Sequence, residues 1–274
     1  MIGCDCPVCT SADPRDKRRR CGAYVSSKEG AVLVDTPPEL RLACLEYGIK
    51  RVDAVLLTHA HMDHIAAFDD VRRFNTLNGT RVPCAPDAPG AFGRTSRVVG
   101  KPMPCYALPE TIGQMHNIFP YIGTQGGQNG LFRPQVEFRD NTAPFDVAGL
   151  RVEALRIEHG FPCCGYLFEE RNDASAFGGE GALPSRLGYI SDCHDIPDAV
   201  VDRLKGVDVM VLNCLRERDH ATHLCLERTL AYLSRIAPKR AYLVHMCHDL
   251  THRQWLERLP ANVEPSYDGL ELEV

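Results

Sequence analysis

Val52-Asp53-Ala54-Val55-Leu56-Leu57-Thr58-His59-Ala60-His61-Met62-Asp63-His64 is the stretch on which the rest of the chain is read. Its first six residues form a mostly apolar run of strand length. After the histidines, Ile65, Phe68, Val71 and Phe74 recur at three-to-four spacing, which predicts a helix. His59, His61, Asp63 and His64 therefore fall on a strand-to-helix turn, where a loop carries function on a rigid frame. His59 and His61 can converge on one metal, while Asp63 and His64 turn toward a second position one helical step on. Neutral imidazoles with a carboxylate suit zinc, manganese or iron. Isolated histidines are ordinarily surface or core residues, but H-x-H-x-D-H directly after a strand reads as a metal motif.

The pattern extends in both directions from this turn. Residues 31–36 read as a buried strand, and residues 38–47 as a helix. Strand, helix, strand, motif, helix is an α/β alternation. Asp35, at the first strand's end, either accepts a hydrogen bond from a ligand histidine or caps the helix that follows. Residues 78–128 read as a loop-rich insert, relieved by a strand at 103–107 and a helix at 109–118. His116 and Tyr121 within it are read as surface or packing residues. Residues 150–158 alternate as a half-exposed strand that ends at His159-Gly160, which places His159 as a third ligand candidate.

Residues 171–185 are polar and Gly-rich, a loop or hairpin tip. The strand at 186–191 ends at Asp192, where a carboxylate can bridge two metals. Further on come a helix at 196–205, a strand at 207–212, and a helix at 224–236 opened by Thr222-His223. A last core strand at 241–244 runs into His245-Met246-Cys247-His248, with His245 placed as a terminal ligand. Residues 267–274 read as a turn and a short alternating strand.

The chain has 274 residues, 44% hydrophobic and 24% charged, enough for a sizeable core. A net charge of −5 implies no general polyanion-binding surface, though a small phosphate ester in a metal site stays open. No run of about 18 apolar residues offers a membrane span. Residues 1–20, MIGCDCPVCTSADPRDKRRR, lack the apolar centre of a secretory signal, so a cytoplasmic setting is expected. The 13 cysteines are then expected to be mostly reduced, and clusters of them are metal candidates before disulfides. Cys4, Cys6 and Cys9 form C-x-C-x-x-C, three of the four ligands a zinc needs, with a fourth candidate near the C-terminus. The basic run Arg15, Lys17, Arg18, Arg19 and Arg20 reads first as a solvated face.

The H-x-H-x-D-H motif resembles that of the metallo-β-lactamase superfamily. Further segments sharpen the likeness: IGCDCPVCTSADPRDKRRR, EHG, SDC, THL, YLVHMCHDL and YDGLELEV together resemble the PhnP-like cyclic phosphodiesterase branch. That resemblance implies a four-layer αββα sandwich, two mixed sheets with helices outside, as a single domain over residues 1–274. Residues 1–21 would be its zinc-binding segment. It implies two divalent cations, zinc or manganese with iron or nickel as further options. His59, His61 and His159 would hold one, Asp63, His64 and His245 the other, with Asp192 bridging. A structural zinc would sit on Cys4, Cys6, Cys9 and His248, and His223 would contact the substrate phosphate or leaving group. The implied activity is hydrolysis of small cyclic phosphate esters, such as a ribosyl 1,2-cyclic phosphate or a 2′,3′-cyclic nucleotide, with Asp63 and His223 as the catalytic residues. A homodimer is expected, with no membrane and no extended nucleic acid as partner. The alternatives are a thioester or lactone hydrolase on the same fold, and a PqqB-like cofactor-biosynthesis or binding protein.

Overall fold

The computed structural model describes residues 1–88, 93–122, 133–170 and 184–274. These fall into two compact units, Gly22–Asn141, and Met1–Cys21 together with Thr142–Val274.

In the first unit, β1 (Ala23–Ser26) pairs antiparallel with β2 (Ala31–Val34), and α1 (Leu40–Glu46) leads to β3 (Ala54–Leu56). There follow α2 (Met62–Ile65), α3 (Arg72–Leu77), β4 (Thr80–Pro83), β5 (Ser96–Val99), β6 (Met103–Ala107), α4 (Pro109–Ile118) and β7 (Val136–Asp140). The sheet order is β1-β2-β3-β6-β7, parallel from β2 to β7. Every residue of β2 and β3 is buried, as the continuous apolar runs require of strands covered on both faces. The helix read after the motif is broken in two by a 3-10 turn at Phe68–Val71, yet Ile65, Phe68, Val71 and Phe74 still share one buried core with Leu33, Val55 and Leu57.

The strand and helix read at 103–107 and 109–118 form with those bounds. The strand, however, lies inside the sheet between β3 and β7, and β4 and β5 make a separate hairpin. The stretch expected to be loop-rich thus supplies part of the frame. Residues 89–92 and 123–132 of it lie outside the described residues.

The second unit holds β8 (Phe145–Val147), β9 (Leu150–Glu158), β10 (Pro162–Glu170), β11 (Arg186–Ile190), α5 (Asp198–Leu204), β12 (Val209–Asn213), α6 (Leu226–Ile236), β13 (Arg240–Val244), α7 (His252–Leu256) and β14 (Val263–Pro265). Its sheet runs in the order β14-β13-β12-β11-β10-β9-β8, antiparallel from β8 to β11 and parallel from β11 to β14. The two mixed sheets expected of the chain are therefore present, one in each unit. Most of the Gly-rich loop read at 171–185, residues 171–183, lies outside the described residues.

On α6, Thr229, Tyr232, Leu233 and Ile236 are buried at helical spacing. The helix ends where Ala237 turns left-handed at φ 51° ahead of Pro238, which cannot continue it. α7 opens with a reciprocal cap: Thr251 Oγ accepts from Gln254 N–H, and Gln254 Oε1 accepts from Thr251 N–H. The closing strand expected within 267–274 does not form. Val263–Pro265 takes the edge of β13 instead, pairing with Ala241, Tyr242 and Leu243, so that edge is already filled. Among the described residues no helix is long and apolar enough to cross a membrane.

Candidate metal sites

Each unit gathers its own share of the predicted donor residues. In the first, β2 ends at Asp35, whose backbone is left-handed at φ 63°. Such a conformation is uncommon outside glycine and is held only where the surroundings enforce it. Here the Asp35 N–H donates to the Leu56 carbonyl at 2.9 Å, and the next residue, Thr36, donates to the His64 carbonyl at 2.7 Å. The carboxylate is fully buried. It accepts from Thr58 N–H at 2.8 Å, Thr58 Oγ at 2.7 Å and His64 Nδ1 at 2.7 Å. Thr58 Oγ, having given its proton to Asp35, accepts from His59 Nδ1 at 2.9 Å.

One carboxylate thereby fixes the ring proton of both His59 and His64 on Nδ1, which leaves the lone pair of each on Nε2, the form a metal ligand needs. Burial pushes the Asp35 carboxyl up, and the His64 ring opposes that push. The reading of Asp35 as an acceptor for a ligand histidine is the one the geometry supports. His59 Nε2 faces His61 Nδ1 at 2.9 Å, a separation at which two lone pairs repel unless a proton or a cation lies between them. Asp63, half-exposed on α2, has a carboxylate oxygen 3.7 Å from His64 Nε2.

In the second unit, β9 and β10 form a hairpin paired from Glu158 and Pro162, so residues 159–161 are its loop. Gly160 supplies the positive φ, 77°, that a three-residue loop needs. His159 begins that loop, and its Nδ1 donates to the Thr222 carbonyl at 2.9 Å, again putting the lone pair on Nε2. Asp192 follows β11 and is buried. Its Oδ1 lies 3.0 Å from His245 Nε2 and 3.5 Å from His223 Nδ1. Ligand atoms of His159, Asp192 and His223 all lie within 4.8 Å of one another, and the His223 and His245 rings stack at 4.8 Å. Burial, and next the neighbouring His245, press the His223 imidazole down to about 3.

His245, following β13, has the same left-handed backbone as Asp35, at φ 60°. Asn213 at the end of β12 ties the strand-end loops together. Its amide donates to the Ser191 carbonyl beside Asp192, and its Oδ1 accepts from Leu224 N–H beside His223, each at 2.9 Å. Sequence reading missed this residue, because an asparagine after a strand carries no spacing signal.

Cys4, Cys6, Cys9 and His248 also come together in the second unit. The three sulfurs stand 3.4, 3.3 and 3.6 Å from the single atom His248 Nδ1. Ligands at about 2.3 Å (S) and about 2.0–2.1 Å (N) around a tetrahedral zinc stand about 3.6 Å apart. One imidazole lone pair cannot accept three thiol protons, whereas one cation satisfies all four groups, so this donor set fits zinc. The Cys9 N–H, and next His248, draw the Cys6 thiol down to about 6. The basic run is not simply a solvated face. Arg18 has an 11% exposed side chain and donates to the carbonyls of Cys247 at 2.6 Å and Leu250 at 2.9 Å.

Comparison with known proteins places the chain in a family and a fold. A family profile described as the beta-lactamase superfamily domain matches residues 31–246. A solved diphosphatase from the PhnP family is 30% identical, with a TM-score of 0.77 over 100% of this chain and 91% of that one. Zn(2+)-bound PqqB from Methylobacterium extorquens is 19% identical with a TM-score of 0.64, over 100% and 95% of the two chains, a likeness of fold. An octanoyltransferase of Porphyromonas gingivalis (strain ATCC BAA-308 / W83) is 30% identical over 277 residues, which is 98% of this chain. The chain spans about half, 48%, of that relative's length.

Proposed function

The chain belongs to the metallo-β-lactamase superfamily, within its PhnP-like branch of metal-dependent hydrolases, and on that footing we propose that it hydrolyses small phosphoric diesters at a dinuclear site. The ligand assignment follows the family pattern. By that pattern His59, His61 and His159 would hold one divalent cation and Asp63, His64 and His245 a second, with Asp192 available to both. The observation that carries the reading is the fixing of ring protons. His59 and His64 through Asp35, and His159 through the Thr222 carbonyl, are all set to offer Nε2. So much buried hydrogen bonding devoted to imidazole tautomers is what a metal site requires and a packing core does not.

Two divalent cations held there supply water activation at neutral pH and neutralise phosphoryl charge. His223, beside Asp192, is assigned to the leaving oxygen. Its ring is held neutral without substrate, and an arriving phosphate favours its protonation, since an anion stabilises imidazolium. One Asp192 carboxylate oxygen lies 3.5 Å from His223 Nδ1 and 3.0 Å from His245 Nε2, which sets His223 beside the carboxylate assigned to both cations. Among phosphoric diesters, cyclic phosphates are the class this branch suggests, and the similarity to a diphosphatase adds diphosphate diesters to the substrates to be assayed.

The test is hydrolysis of bis(p-nitrophenyl) phosphate by manganese-loaded protein, with Asp63→Ala as control and His223→Ala beside it. Metal-dependent turnover that vanishes in Asp63→Ala, and falls about 10²–10⁴-fold in His223→Ala with metal content unchanged, supports the assignment. Absence of turnover in fully metal-loaded protein overturns it. A second reading, acyl ester or thioester hydrolysis, is favoured by the likeness to half of an octanoyltransferase. Turnover of an octanoyl thioester without phosphodiester turnover would select it.

A further inference from the structure

The loop after β13 carries two assigned ligands, His245 and His248, and the N-terminal segment grips it at more points than the cysteines. Arg18 Nη1 and Nη2 reach the carbonyls of Cys247 and Leu250. The buried Asp16 accepts from His252 N–H at 2.6 Å and lies 3.5 Å from Arg18 Nη2. Cys247 N–H in turn donates to the Leu215 carbonyl at 2.8 Å, on the segment that leads to His223. His245 itself is left-handed, a conformation that persists only under such constraint.

We propose that Arg18 is a positioning residue for His245: by holding the carbonyls of Cys247 and Leu250, its guanidinium fixes the backbone from which His245 meets its metal. The inference rests on the dinuclear reading of the site. It goes beyond a cysteine staple, because the Arg18 hydrogen bonds go to backbone carbonyls and grip the loop on both sides of His248. The planar fork of arginine can serve two carbonyls at once, which a lysine cannot do with the same geometry. The energetic logic is that of groups behind metal ligands, whose loss typically costs about 10–100-fold in metal affinity.

The experiment uses the full chain and measures metal binding rather than turnover. Wild type, Arg18→Ala and Arg18→Gln are titrated with Co(II), and bound metal per chain is counted after dialysis at fixed free metal. The thiolate-to-cobalt absorption reports the cysteine site separately. The expected result is wild-type thiolate absorption in both variants, with affinity at the histidine–carboxylate site at least about tenfold weaker in Arg18→Ala and intermediate in Arg18→Gln. Added guanidinium ion should restore part of the loss in Arg18→Ala. Histidine-site affinity equal to wild type in either variant overturns the role of Arg18. A wild-type chain that binds metal at the cysteines alone overturns the dinuclear reading and this inference with it. Should Arg18→Ala not fold, Arg18→Gln carries the same test.

Discussion

Asp35 Oδ2 lies 2.7 Å from His64 Nδ1, with both side chains fully buried. This pair, extended through Thr58 to His59, sets which nitrogen each ring presents. Asp35→Asn keeps the shape but substitutes an amide that both donates and accepts, so the ring protons are no longer dictated. Metal affinity at the histidine site is expected to fall about 10–100-fold, read by competition with a chromophoric chelator. Unchanged affinity would mean that Asp35 serves packing alone.

The cysteine cluster gives a prediction about stability. Cys6→Ser should remove one metal per chain and release His248 from the cysteines. If the site acts as a native crosslink, about 2–5 kcal/mol is lost. At this chain length that is a fall in Tm of about 5 °C or more, measurable by calorimetry.

His252 supplies a pH signature. It is buried, and burial lowers its pKa, with Arg15 and Arg18 adding to the shift while Asp13 and Asp16 oppose it. A histidine lowered in the folded state takes up its proton first in the unfolded chain. Stability it contributes is therefore complete above its unfolded value of about 6.5 and declines as pH falls below that toward the folded pKa. The wild-type Tm should drop between about pH 7 and 5, and the drop should be shallower in His252→Gln. Parallel curves would show that His252 titrates normally.

A prediction on the frame concerns Gly165 of β10. A Cβ there would stand 2.5 Å from Ile190 Cγ1 and 2.7 Å from the Tyr189 carbonyl oxygen. Gly165→Ala must push β10 from β11, the strand leading to Asp192, at a cost of about 1–3 kcal/mol by overpacking. Urea unfolding should show a lower midpoint at constant slope.

The parts legible in the sequence are those with short-range signals. The H-x-H-x-D-H turn, the apolar runs of β2 and β3, and Gly160 after His159 each announce themselves within a few residues. The bounds of β6 and α4 were readable because prolines flank them, Pro109 standing at the first position of α4. What the sequence hid depends on distant partners. β14 exists because β13 offers it an edge. Arg18 looked like one more surface cation, since the carbonyls it holds lie 229 and 232 residues further on. The left-handed backbones of Asp35 and His245 were hidden too, because aspartate and histidine give no local sign of a conformation imposed by their neighbours.

The cysteine cluster also has a timetable. Cys9 and His248 are separated by 239 residues, and at about 5–20 residues per second a ribosome needs on the order of 10–50 s to make that stretch. During that interval three closely spaced thiols emerge ahead of the chain that completes their tetrahedron, available to a passing metal, an oxidant or another nascent copy. Three of the four donors are made long before the fourth, and the arrival of His248 decides whether a metal caught early is kept.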